Sequence, residues 1–144
     1  MPNNLAERLE GQTIRTVDRR AKYLFLNLDG GTVIVHLGMS GSLRVISGQA
    51  PPMTHDHVEL KLQSGVVLRF NDPRRFGCWL WTDAANSHPL IASLGPEPLS
   101  AEFNGAMLYR LSRSKKHPVK SLIMDNHVGA GVGNIYANEA LLKA

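Results

Sequence analysis

The sequence predicts an α+β chain, an antiparallel β-sandwich followed by a small helical region. Three observations predict it. Across the first part of the chain, short runs alternate apolar and polar residues between glycine-rich turns. Near residue 83 the composition shifts to loop formers, in "DAANSHPLIASLGPEPLS". From Ser100 onward, apolar residues recur at helical spacing. The expected division is therefore 1–82 for the β portion, 83–99 for a linker and 100–144 for the helical region.

Taken in order, Asn4 to Glu10 reads as a short helix capped by Asn3 or Asn4. "KYLFLNL" and "TVIVHL", joined by "DGG", read as a hairpin with apolar alternation on both sides. "SGSLRVI" is a further strand, closed by the loop "SGQAPPMT". "HDHVELKL", the turn "QSG" and "VVLRF" form a second hairpin in which Val58, Leu60 and Leu62 face Val67 and its neighbours. "GCWLWT" is the final strand. Beyond the linker, Ser100 is placed to cap a helix, and "GAMLYRLSRS" has helical apolar spacing. Pro118 suits the first turn of "PVKSLIMDN". "GNIYANEALLKA" is a last helix, entered through "VGAGVGN".

The 144 residues, 43% of them hydrophobic, suffice for one domain or two small ones around a real core. No apolar run reaches the roughly 20 residues that span a bilayer. Met1 to Glu10 is polar and charged, unlike a secretory signal. An intracellular, reducing compartment is the expectation, and the single Cys78 has no partner for an internal disulfide. The net charge of +4 is unevenly placed. Residues 1–105 hold ten basic and ten acidic groups, so all the excess lies beyond them, in Arg110, Arg113, Lys115, Lys116, Lys120 and Lys143 against Asp125 and Glu139. A localised basic patch suits a polyanion such as nucleic acid.

Several residues stand out chemically. "GAGVGN" lacks both GxGxxG spacing and a GK[ST] ending, so a nucleotide fold is rejected. Its glycines either hold an anion at the start of the next helix or simply make a tight corner. Asn134 there is an N-cap or a phosphate donor. Lys115, Lys116 and Lys120 form a basic stretch just upstream. Lys22 sits where a loop enters a strand, beside Arg19 and Arg20, whose charge would favour a nucleophilic or proton-transfer lysine. His55 and His57, two apart on a strand, would share a face, but no third ligand follows and no metal is expected. Met39, bracketed by glycines, and Phe76, on the turn "NDPRRFG", are large apolar groups beside basic ones. A core accounts for one such residue on a turn, but two on glycine-flanked loops beside basic groups suggest wedges that enter a base stack, where an adjacent arginine, here Arg74, could fill the gap left by an extruded base.

The segments "RRAKYLFL", "HLGMSGSLR", "HDHVEL", "NDPRRFGCWLW", "LGPEPL" and "MDNHVGAGVGNIYANEALL" together resemble the formamidopyrimidine-DNA glycosylase family, the bacterial base-excision enzymes for oxidised purines. The resemblance covers about residues 14–142, in the family's order. It implies a β-sandwich followed by a helix-two-turns-helix DNA-binding domain. It implies removal of oxidised purines such as 8-oxoguanine and formamidopyrimidines, with β-elimination at the abasic site. Lys22 matches the lysine that assists the lyase step. Met39, Arg74 and Phe76 match the triad inserted into the duplex, His55, Arg74 and Lys115 match DNA contacts, and Lys120 and Asn134 match phosphate-binding positions.

Two departures qualify the match. The family starts with a nucleophilic proline followed by glutamate, whereas this chain starts Met-Pro-Asn-Asn-Leu. Pro2 falls where the family has already passed its catalytic helix, so its place after Met1 is read as coincidence. The family also ends in a four-cysteine zinc finger, and with one cysteine no cofactor is expected here. An internal fragment or shortened form is implied, with a catalytically inactive damaged-DNA-binding module as the alternative function. Loss of the opening strands leaves edges that invite dimerisation. Duplex DNA carrying oxidised purines or abasic sites is the expected partner, no membrane is involved, and the bacterial cytoplasm, at the nucleoid, is the expected location.

Overall fold

The structure, a computed structural model, describes residues 4–47, 50–113 and 115–144. The chain divides into two units, one of residues 1–17 and 23–82, the other of residues 18–22 and 83–144.

In the first unit, the short helix α1 (Leu5–Leu9) precedes seven strands. These are β1 (Ile14–Arg20, whose end from Asp18 groups with the second unit), β2 (Tyr23–Leu28), β3 (Gly31–His36), β4 (Ser42–Ser47), β5 (Asp56–Lys61), β6 (Val66–Asn71) and β7 (Cys78–Thr82). They form two sheets in the orders β1-β2-β3-β7 and β4-β6-β5. The β2–β3 hairpin turns at Asp29 and Gly30, with Leu28 opposite Gly31, as the alternation requires. Alternate side chains point inward from both sheets, so Leu26, Leu28, Val33, Val35 and Trp79 meet Phe70, Leu43, Val58 and Leu60, with Leu5 closing the cluster. Val33, Ile34 and Val35 are fully buried. Each such aliphatic side chain contributes about 1.5–3 kcal/mol by leaving water.

The opposite face of the β4-β6-β5 sheet is polar. Arg69 is 5% exposed and donates to Glu59 and to the carbonyls of Ala50 and Pro51, which fastens the loop before β5. A buried charge is tolerable only when fully paired, and here it is. Asp56 accepts from Arg44 and from the Met53 amide at the same end.

Several sequence expectations need correction. β1 was not expected, because "IRTVDRR" is almost wholly exposed and carries no alternation to read. Asn4 sits at the α1 cap position without a side-chain capping bond. In the second hairpin the Leu62 amide donates to the Val66 carbonyl, and this turn closure sets the register. Val58 and Leu60 therefore face Phe70 and Leu68, while Val67 pairs with Lys61 and points to the polar face.

In the second unit, residues 83–99 hold more structure than a linker, with a 3-10 turn at Ala85–Ser87 and the helix α2 (Pro89–Ala92). Three helices follow, α3 (Gly105–Ser112), α4 (Val119–Met124) and α5 (Asn134–Lys143). Ser100 caps none of them, because its hydroxyl donates back to the Glu97 carbonyl. Asn104 caps α3 instead, its side-chain oxygen accepting from the Met107 amide at 3.0 Å. Pro118 precedes α4 at the cap rather than inside its first turn. Among the described residues, no helix is long and apolar enough to cross a membrane.

Candidate nucleic-acid interface

Two touching turns of the β unit carry two of its exposed apolar groups, Met39 and Phe76. Between β3 and β4, the Gly41 amide donates to the Leu37 carbonyl, closing a tight turn around Gly38 and Met39. Between β6 and β7, Arg75 takes a left-handed backbone with φ of +57°, its amide donating to the Asp72 carbonyl. Met39 is 74% exposed and Phe76 56%, so neither is a core residue. The Arg74 guanidinium lies 4.8 Å from the centroid of the Phe76 ring, where a cation stacks on an aromatic face. A Cβ at Gly38, where φ is +69°, would come within 2.6 Å of both the Gly77 nitrogen and the Phe76 carbonyl carbon. The two turns are thus in backbone contact, and only glycine permits it.

Beneath them lies Asp72, 1% exposed. One carboxylate oxygen accepts from the Ser40 hydroxyl at 3.0 Å and the other from the Gly77 amide at 2.7 Å. The Gly77 amide, acting against the cost of burial and aided by Ser40, holds this carboxyl below the usual aspartate range. The Asp72 amide donates to the His55 carbonyl, and the Asp72 carbonyl is 2.9 Å from His57 Nε2. His55 itself has φ of +71°, precedes β5 and is exposed, so strand alternation does not govern it. The expectation that the two histidines share a strand face is corrected accordingly, and their rings stand 6.3 Å apart and tilted. Met39, His55, Arg74 and Phe76 are therefore gathered on neighbouring loops of one unit. Sequence reasoning missed Asp72 and Ser40. The signal was an aspartate opening an Asp-Pro turn, a residue type that accepts from backbone amides ahead of it.

A row of titratable groups crosses the same sheet, because Tyr23 pairs with His36 and His36 with Cys78. The Tyr23 and His36 rings lie 4.9 Å apart. Burial pushes the Cys78 thiol up.

The second unit holds the remaining residues. Glu97 is its hub, accepting from the Ala21 amide at 2.6 Å and pairing with Arg20 at 2.8 Å and Arg19 at 3.3 Å. Burial alone would raise this carboxyl, but the Ala21 amide and the two guanidinium groups outweigh it and hold it below the usual range. The arginines expected to bear on Lys22 are thus ion-paired with Glu97, a residue that sequence reasoning passed over. Ala21, with φ of +52°, leads into Lys22. Its backbone faces Gly131, where a Cβ would lie 3.1 Å from the Ala21 Cα. The Lys22 ammonium lies 2.9 Å from where a Cβ would stand at Gly133. The glycine-rich turn therefore receives Lys22 at the head of α5. Gly133, not Asn134, is the N-cap, and Asn134 is the first helical residue, exposed to solvent. As the first helical residue it lies past the cap position, which removes the N-cap explanation for it.

A free helix start beside an ammonium is chemically suited to an anion. Lys115 is exposed and Lys120 lies partly exposed in α4. If a duplex is the polyanion bound here, phosphate contacts would release counterions and binding should weaken steeply with salt. Lys115→Ala or Lys120→Ala should each lower affinity irrespective of sequence and reduce the log–log salt slope by about 0.9. Titration at several salt concentrations checks this, and an unchanged slope would remove those lysines from the interface. Among the described residues, no group of three or more histidine, cysteine or acidic side chains is placed to hold a metal. Pro2 lies outside the described residues.

Comparison with known proteins gives a consistent picture. The profile described as the formamidopyrimidine-DNA glycosylase N-terminal domain matches residues 1–79, and that of the formamidopyrimidine-DNA glycosylase H2TH domain matches residues 94–144. The formamidopyrimidine-DNA glycosylase of Marinobacter nauticus is 73% identical over 144 residues, which is all of this chain and 53% of that protein. The chain spans about half the length of the curated relatives it matches. The Lactococcus lactis formamidopyrimidine-DNA glycosylase, solved non-covalently bound to DNA containing an AP site, is similar with a TM-score of 0.85 and 31% identity, over 94% of this chain and 53% of that one. The same bacterium's protein in complex with FAPY-dG-containing DNA gives a TM-score of 0.86 and 33% identity, over 96% of this chain and 53% of that one.

Proposed function

The chain belongs to the formamidopyrimidine-DNA glycosylase family, and we propose that it acts in base-excision repair on duplex DNA carrying oxidised purines or abasic sites. The reaction proposed is release of 8-oxoguanine or a formamidopyrimidine, followed by β-elimination at the abasic sugar. One observation carries the reading: Met39 and Phe76 stand exposed on touching turns, with Arg74 stacked on the phenylalanine. Water-exposed wedges of this kind gain by entering a base stack, which offsets an unstacking cost of about a few kcal/mol per step.

In this reading residues 1–82 open the duplex and 100–144 hold its phosphates, with 83–99 between them. His55 and Arg74 contact the DNA beside the wedge. Lys22 serves the lyase step, and its position beside the α5 start suits it to a sugar–phosphate group. Lys115, Lys120 and Asn134 bind backbone phosphates. The place of action proposed is the bacterial cytoplasm, at the nucleoid.

A duplex with one 8-oxoguanine, run beside an undamaged control, tests the proposal. Preferential binding and strand nicking at the lesion are expected, with Lys22→Ala lowering nicking by about a hundredfold, the scale of a lost proton-transfer group. Preferential binding without nicking would make the chain a damaged-DNA-binding module. Equal binding of both duplexes would overturn the reading.

A further inference from the structure

We propose that Asp72 is the positioning residue that holds the two inserting turns in register, so that Met39 and Phe76 enter the duplex as one wedge. The proposal rests on the reading of those two side chains as inserting groups, and it concerns a residue for which that reading has no use. Asp72 touches no candidate DNA surface, being 1% exposed. Yet its carboxylate joins two turns, accepting from the amides of Gly77, Arg74 and Arg75 in its own and from the Ser40 hydroxyl, next to Met39, in the other. Its backbone extends the same pattern, the amide to the His55 carbonyl and the carbonyl to the Arg75 amide and the His57 ring.

The geometry exceeds what stability asks of a buried carboxylate. A single turn could satisfy both oxygens with its own amides, as an Asp-Pro turn commonly does. Here one oxygen is spent on a hydroxyl from another loop. The backbone contact between Gly38 and Gly77 fixes how near the turns approach but not how they rotate about that point. A two-point carboxylate fixes the rotation, because its oxygens are rigidly spaced and each accepts along a preferred direction. A wedge of two separate side chains needs this, since misplacement by about 1 Å is enough to lose productive geometry.

The test uses the whole chain and a duplex containing a stable abasic-site analogue beside 2-aminopurine, whose fluorescence rises when its stack is opened. Ser40→Ala should reduce the enhancement by about fivefold, the worth of one hydrogen bond. Its affinity for undamaged duplex should stay within about twofold, because that affinity comes from phosphates. Asp72→Ala should reduce the enhancement by about tenfold or more, both links being lost. Asp72→Asn should recover at least half of it, because the amide can accept from Gly77 and donate to the Ser40 oxygen.

Folded Ser40→Ala and Asp72→Asn variants that both behave as wild type, with Asp72→Ala also unaffected, would overturn the proposal. Should Asp72→Ala fail to fold, an unaffected Ser40→Ala is sufficient to overturn it. Met39→Ala and Phe76→Ala, run in parallel, separate the two ideas. If they abolish the enhancement while the Ser40 and Asp72 variants keep it, only the positioning role fails. If they also leave it unchanged, or the wild-type chain gives none, the insertion reading fails and takes the positioning role with it.

Discussion

Gly38→Ala is expected to destabilise the β unit by about 2–5 kcal/mol, combining left-handed backbone strain with a steric clash. The strain arises because φ is +69° there, and a left-handed residue with a Cβ costs about 1–2 kcal/mol. The clash arises because that Cβ would sit 2.6 Å from the Gly77 nitrogen and the Phe76 carbonyl carbon. Both are backbone atoms, so no side-chain rotation relieves it. The turns must separate, and separation breaks the Ser40 and Gly77 bonds to Asp72 as well. Urea unfolding of the variant and wild type checks the figure. A loss below about 1 kcal/mol would mean that the turns do not touch as described.

Removing the Glu97 side chain is the second large effect. Glu97→Ala leaves the Ala21 amide without its acceptor and Arg20 without its carboxylate. The ion-pair side chains are each 29% exposed, so water screens part of the loss. A cost of about 2–3 kcal/mol is expected, below that of a fully buried pair. Arg20 keeps the carbonyls of Leu94 and Gly95, which limits the damage. Ala21 holds a left-handed backbone, and relaxing it should displace Lys22, which in the proposed function would lower strand nicking.

The pH dependence carries the same signature. Glu97 has a depressed value when folded, so its ionic contribution is complete above the ordinary glutamate range and is lost as pH falls through the folded value. The stability gap between wild type and Glu97→Gln should therefore be open at neutral pH and close below about pH 4. A gap that stays constant through the acid range would show that hydrogen bonding alone, without charge, holds Ala21.

How much of this could be read from the sequence depended on which force shaped each element. The β2–β3 hairpin was legible because two apolar runs of strand length flank the turn "DGG". β1 was illegible because its two apolar residues, Ile14 and Val17, lie an odd number of positions apart, on opposite faces, and so mark no single buried face. The Val67 register failed at the turn, where Leu62 pairs with Val66 and so sets Val67 opposite Lys61, one residue off the expected face. The α3 cap was misplaced because Ser100 and Asn104 are both good caps, and a local bond from Ser100 back to Glu97 decided between them. At the candidate site, the exposed ends of the machinery were visible as odd residues on turns. Asp72 and Glu97 were not, because a buried carboxylate is defined by long-range partners, and Ser40 and Ala21 lie 32 and 76 positions away.

The row of Tyr23, His36 and Cys78 bears on chemical durability. Peroxide and soft electrophiles react with thiolate, and a cysteine whose proton is held more tightly presents less of it at neutral pH. Oxidants that damage guanine would find the chain's sole sulfhydryl mostly protonated, and so slow to be converted to sulfenic acid.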